Sequence, residues 1–151
     1  MKIIGFSIKK VVAERKNPSK GKLEIKQGLN IENIAIEEIN ISDKPSLKFD
    51  FNFSIDYNPD IAKVAIEGSV IVLDDKGEGK EILKDWKKKK FDHPIKVALF
   101  NFILDKCNIR ALHLEEEVGL PFHLPFPKLQ VAPAKPAENP KSEKNQANYT
   151  G

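Results

Sequence analysis

Between residues 47 and 57 the sequence reads LKFDFNFSIDY, and apolar and polar side chains alternate without a miss. Leu47, Phe49, Phe51, Phe53, Ile55 and Tyr57 fall on one side, and Lys48, Asp50, Asn52, Ser54 and Asp56 on the other. A period of two is that of a strand, so the stretch predicts a strand with one aromatic face and one wet face. A sheet face this apolar has to be covered, either as ordinary core or as part of a surface that holds something apolar.

The flanking sequence supplies partners for that strand. Ile4, Phe6 and Ile8 alternate with Ile3, Gly5 and Ser7, which predicts a strand over about residues 2–14. KNPSKGK (16–22) carries the residues of a loop. The run LEIKQGLNIENIAIEEINI has Leu23 and Ile25 in one phase and Ile34 and Ile36 in the other. Its further shift to Ile39 and Ile41 predicts a bulge or break across Glu37-Glu38. After the short NPDIA connection, Val64, Ile66, Gly68, Val70 and Val72 alternate with Ala65, Glu67, Ser69 and Ile71. Two strands joined this tightly form a hairpin, so the sheet is antiparallel.

Beyond residue 80 the period becomes helical. Ile82, Leu83 and Trp86 predict a short helix ending in four lysines, with Asp92 or His93 placed to cap a second helix and Pro94 in its first turn. In PIKVALFNFILDKCN one face carries Ile95, Leu99, Phe102 and Ile103, and another Val97, Phe100, Leu104 and Cys107. Asn101, Asp105 and Asn108 remain as a narrow polar stripe, so this helix should be covered on two sides. ALHLEEEVGLP predicts a further short helical segment stopped by Gly119, and Pro121, Pro125 and Pro127 then force extended backbone. The fold class is α+β, a four-stranded antiparallel sheet followed by a long apolar helix packed on one face. Residues 1–131 make one domain, and 132–151, rich in Pro, Lys and Asn, a disordered tail.

Several functions are disfavoured. The 25 basic and 22 acidic residues leave a formal charge of +3, too mild to name a polyanionic partner. The lone Cys107 excludes an intramolecular disulfide and fits a reducing compartment. No apolar run approaches the roughly 20 residues of a membrane span, and the N-terminus reads as a strand rather than a signal peptide. No membrane insertion is expected, and the location is the cytoplasm. Gly-rich phosphate loops, paired cysteines and nucleophile elbows are missing from the sequence. His93, His113 and His123 lack metal-ligand spacing and read as capping or surface residues. Cys107 lies in an apolar helix, where a thiolate is disfavoured. Glu115, Glu116 and Glu117 are consecutive, point in different directions and read as a solvated helix surface. Neither an enzyme nor a cofactor is expected. Trp86 with Lys87, Lys88, Lys89 and Lys90 offers an alternative reading as a nucleic-acid-binding module, against a plainer one in which lysines complement the helix dipole.

A surplus of apolar surface remains. One side of the long helix covers the aromatic strand, leaving Val97, Phe100 and Leu104 as a candidate oligomer interface. Phe122, Leu124, Phe126 and Leu129 are candidates for a polypeptide-binding groove, the first three sharing a face of extended backbone. PAKP (133–136) matches a PxxP ligand, a match that a Pro-rich tail produces by chance.

Four antiparallel strands with a long hairpin last, a long apolar helix, and the end GLPFHLPFPKLQVAP together resemble the SecB family of protein-export chaperones and its SecB-like relatives. The resemblance covers about residues 2–131. It implies a homotetramer built as a dimer of dimers, with helices sandwiched between sheets. It also implies ATP-independent binding of unfolded polypeptide clients in apolar grooves. Members of the classical pathway are acidic, which serves docking to the SecA motor, whereas this chain is slightly basic. A SecB-like holdase with another client, such as an antitoxin chaperone, therefore stands beside export.

Overall fold

In the computed structural model, which describes residues 1–132, four long strands are followed by two helices and an extended end. The strands are β1 (Lys2–Arg15), β2 (Glu24–Glu37), β3 (Ser46–Asn58) and β4 (Ala62–Leu73), and the helices α1 (Gly79–Lys87) and α2 (Ile95–Glu117). They form one antiparallel sheet in the order β1-β4-β3-β2. The expected α+β architecture stands.

Residues directly opposite each other in an antiparallel pair point to the same side. The aromatic row of β3 therefore shares its face with β4: Phe49 faces Val70, Phe53 faces Ile66 and Ile55 faces Val64, all fully buried. Phe51 lies opposite Gly68, whose missing side chain is a packing requirement. A Cβ there would come 2.2 Å from the Ser7 carbonyl oxygen and 2.9 Å from Phe51 Cζ. Phe6 of β1 fills in beside it, its ring stacked on Phe51 at 5.7 Å and edge-on to Phe102 of α2 at 5.8 Å.

Bulges keep the outer strands in phase with this core. Ile31 lies opposite Phe51 and Ile34 opposite Phe49, although three residues apart, because Glu32 is extruded between them. The same device at Lys9 puts Ile8 and Val11 on one face of β1. The expected irregularity across Glu37-Glu38 is a break, since β2 ends at Glu37, while the bulge at Glu32 is a further one, not expected from the sequence.

Both helices start at side-chain hydrogen bonds. Asp74, 6% exposed, accepts the Glu78 and Gly79 amides at 2.9 and 2.8 Å and fixes the entry of α1. His93 Nδ1 accepts the Ile95 amide at 3.2 Å at the start of α2, so of the two expected caps it is the histidine that acts. α2 then runs unbroken to Glu117, absorbing the separate helical segment expected after Asn108, since nothing between Asn108 and Ala111 breaks a helix. Its buried stripe is Leu99, Ile103, Cys107, Ala111 and Glu115, one residue per turn. Cys107 therefore faces the sheet, not the second apolar face to which the sequence assigned it. Gly119, at φ 67°, ends the helix with Leu120 N donating to Glu115 O (2.7 Å) and Gly119 N to Glu116 O (3.2 Å), a Schellman arrangement. The expected tail, beyond the first of its residues, lies outside the described residues.

Gly68→Ala should lower stability by about 1–3 kcal/mol, the usual cost of overpacking. Gly28→Ala, where a Cβ would meet only Ser54 Oγ at 3.4 Å, should change it by less than about 0.5 kcal/mol. Urea unfolding of the two variants checks the contrast.

Candidate functional site

The Schellman turn delivers the chain onto the end of the sheet, where residues 120–126 form a strap. Leu120 is buried, and the Tyr57 hydroxyl of β3 donates to the Pro121 carbonyl at 2.6 Å. Two residues on, the chain bends at His123 and Leu124. The bend departs from the straight extended run expected from the prolines, and it brings the Phe122 and Phe126 rings edge-to-face at 5.2 Å. These two rings remain 45% and 51% exposed. With Leu120, Pro121, Leu124, Pro125 and Lys128 they line a groove of about 710 Å³. Leu129, also expected in the groove, stands fully exposed and outside its lining.

Under the strap lies a buried polar cluster that the sequence did not announce. The His123 side chain is 1% exposed and that of Glu115 0%. His123 Nδ1 lies 2.5 Å from Glu115 Oε1, and its backbone amide donates to Glu115 Oε2 at 3.3 Å. The other ring nitrogen meets Asn108 Oδ1 at 2.9 Å, and that oxygen also accepts from Gln27 Nε2 at 3.1 Å. Phe53 of β3 meets the imidazole edge-on at 6.4 Å. Glu115 is thus not part of a solvated helix surface, nor His123 a surface residue. Glu115 continues the core stripe of α2, and the strap supplies its partner. Burial, and then the adjacent Glu115 carboxylate, pushes the Tyr57 phenol well above its ordinary range, so its hydroxyl stays a donor to Pro121.

The remaining expected positions are dispersed. Val97 is 68% exposed and Phe100 and Leu104 are half-buried, Leu104 packing against the core with part of its surface; Ile109 joins Val97 in exposure. Trp86 packs against the core with part of its surface, while Lys87, Lys88, Lys89 and Lys90 are exposed. Lys90 N donates to Asp85 O and Lys89 N to Trp86 O, so the lysines form the closing turn of α1, where positive charge is favoured. Among the described residues no group of three or more His, Cys, Asp or Glu side chains is placed to hold a metal ion, and no helix is long and apolar enough to cross a membrane.

No protein-family model matches the chain, and no curated protein does. Among solved structures it is similar to the Mycobacterium tuberculosis SecB-like chaperone Rv1957 in complex with a ChAD peptide from the Rv1956 HigA1 antitoxin. The identity is 14%, over 87% of this chain and 91% of that one, with a TM-score of 0.47. That protein belongs to the group that the order of elements resembles. At this level of likeness nothing about ligands or partners transfers to the present chain.

Burial holds the Cys107 thiol up at about 11, with Arg110 opposing the shift. At neutral pH the thiol therefore stays protonated and unreactive. Native protein should accordingly resist maleimide at pH 7 and react fully once unfolded, as mass spectrometry would show.

Proposed function

We propose that the chain is an ATP-independent, SecB-like holdase that takes apolar segments of non-native polypeptides into the groove of the strap. The observation that carries this reading is the exposed Phe122–Phe126 pair, held open beside Leu124 by a backbone fixed through partly buried hydrogen bonds. Rings half out of water on a positioned segment are suited to a transient apolar partner, since covering one contributes roughly 1.5–3 kcal/mol. Weak binding at several such points suits an unfolded chain better than one deep pocket.

Self-association belongs to the same reading. Val97, Phe100 and Leu104 leave an apolar surface on α2 that a second copy would cover, as the dimer or tetramer implied by the SecB resemblance requires. The open face of the sheet carries Lys48, Lys63 and Lys26 among Asp50, Asp56 and Glu67, with both signs interspersed. A single-sign acidic field for docking a motor is not built there, which favours a cytoplasmic holdase with other partners over an export factor.

Changing Phe122 and Phe126 together to Ser should weaken binding of a reduced, carboxymethylated, permanently unfolded protein about tenfold. The melting temperature should stay nearly unchanged. A sharp fall in melting with affinity per folded molecule intact would place both rings in the core and sink the groove. Phe100→Asp should shift the assembly toward monomer in light scattering across a dilution series. A wild-type protein that is already monomeric at micromolar concentration would remove the interface.

A further inference from the structure

The strap is tied to the body through a pair of groups that exchange protons. Asn108 Oδ1 accepts from Gln27 Nε2 and takes His123 Nε2 as its second donor, so Nε2 carries a proton. The opposite nitrogen, Nδ1, faces Glu115 Oε1 at 2.5 Å with room for a single proton between them. In this state the pair is neutral overall, and Glu115 Oε2 is free to accept the His123 amide. A second proton would set N–H against O–H in a site closed to water. Loss of the one proton would set a bare carboxylate against an imidazole lone pair.

We propose that the buried Glu115–His123 pair is a proton-operated latch: it holds the strap docked while the pair shares one proton, and releases it when that proton is lost or a second is added. Its consequence for clients rests on the groove reading above, because release would dismantle the groove; the latch itself does not depend on that reading. The surroundings offer no compensation for a changed charge. From β3 the cluster faces Tyr57, which is engaged with Pro121 and keeps its proton. From β1 the exposed Arg15 has its guanidinium beside Gly119, and on α2 Glu116 and Glu117 are exposed. Gln27 and Asn108 are neutral.

The proton balance fixes the direction of the effect. Once the strap swings away, both groups stand in water. Above the ordinary imidazole value, about 6.5, opening releases one proton, so rising pH favours opening by up to tenfold per unit. Below the ordinary carboxylate value, about 4.3, opening takes one up, and falling pH favours it equally. Between the two, opening changes no proton count and should be flat.

Amide exchange of the full chain, read by NMR at His123 with Phe53 of β3 as reference, tests this without any client. The His123 protection factor should fall about tenfold per pH unit above about 6.5, while Phe53 stays constant. In Glu115→Gln the amide donates to Nδ1 and accepts the His123 amide with no proton to lose. Protection should then be flat above about 6.5 and fall below it, reversing the wild-type limb. A flat wild-type alkaline limb, loss of protection at His123 and Phe53 together, or a Gln variant that keeps the wild-type limb would each overturn the latch. Should the Gln variant not fold, the wild-type profile decides alone. A groove failure reads differently, as unchanged client affinity in the Phe122/Phe126 double variant with the latch profile intact.

Discussion

Keeping the aromatic row of β3 dry is the requirement from which the remaining structure follows. Six alternate side chains, Leu47 to Tyr57, are buried along one strand. At roughly 1.5–3 kcal/mol each, their burial is comparable with the whole net stability of a domain this size. β4 lines them up, Gly68 yields room for Phe51, and the bulges at Lys9 and Glu32 turn β1 and β2 so that their aliphatic residues join the same face. α2 closes that face with one residue per turn. What is left outward on α2 is a consequence of its sequence being apolar nearly all round.

Two carboxylates are buried among the described residues, and both sit at joints. Asp74 holds the start of α1 with two backbone amides, so its charge is met by fixed dipoles and its role is geometric. Glu115 is different. It occupies a place in the α2 stripe where an aliphatic residue would pack without desolvation cost, and its partner arrives from a segment with little packing of its own. The strap beyond Leu120 owes its position to polar contacts more than to apolar burial, which makes its docking a matter of hydrogen bonding and protonation.

Much of this was legible in the sequence, for a physical reason: period two and period 3.6 report burial directly. The strands, the hairpin, the long helix and the Gly119 stop all follow from local pattern. The bulge at Glu32 was legible in principle, since Ile31 and Ile34 cannot share a face without an extra residue, whereas the later phase shift across Glu37-Glu38 marks the end of the strand. Glu115 was also within reach. It continues the spacing Leu99, Ile103, Cys107, Ala111, and a carboxylate on a core stripe announces a partner. That partner was not legible, because it depends on a bend at His123 that returns the chain over Asn108, and no local pattern encodes a return. The same bend pairs Phe122 with Phe126, four residues apart in a stretch whose prolines argue for straight backbone.

The arrangement separates what stabilises the fold from what would bind. The strap meets the core aromatics through its inner side, His123 against Phe53 and Pro121 at the Tyr57 hydroxyl, while Phe122 and Phe126 remain half exposed, so no core ring needs to move for a ligand to enter. The exposed aromatics belong instead to a short segment hung on Tyr57, Glu115 and Asn108, where Phe122 and Phe126 can change occupancy without uncovering Phe51 or Phe53. A surface that accepts unfolded chains has to be apolar and yet must not draw the host's own core into the exchange. Placing it on a strap tied by polar contacts meets both conditions, and it explains why a carboxylate and an imidazole occupy a site that hydrophobic packing alone would have filled.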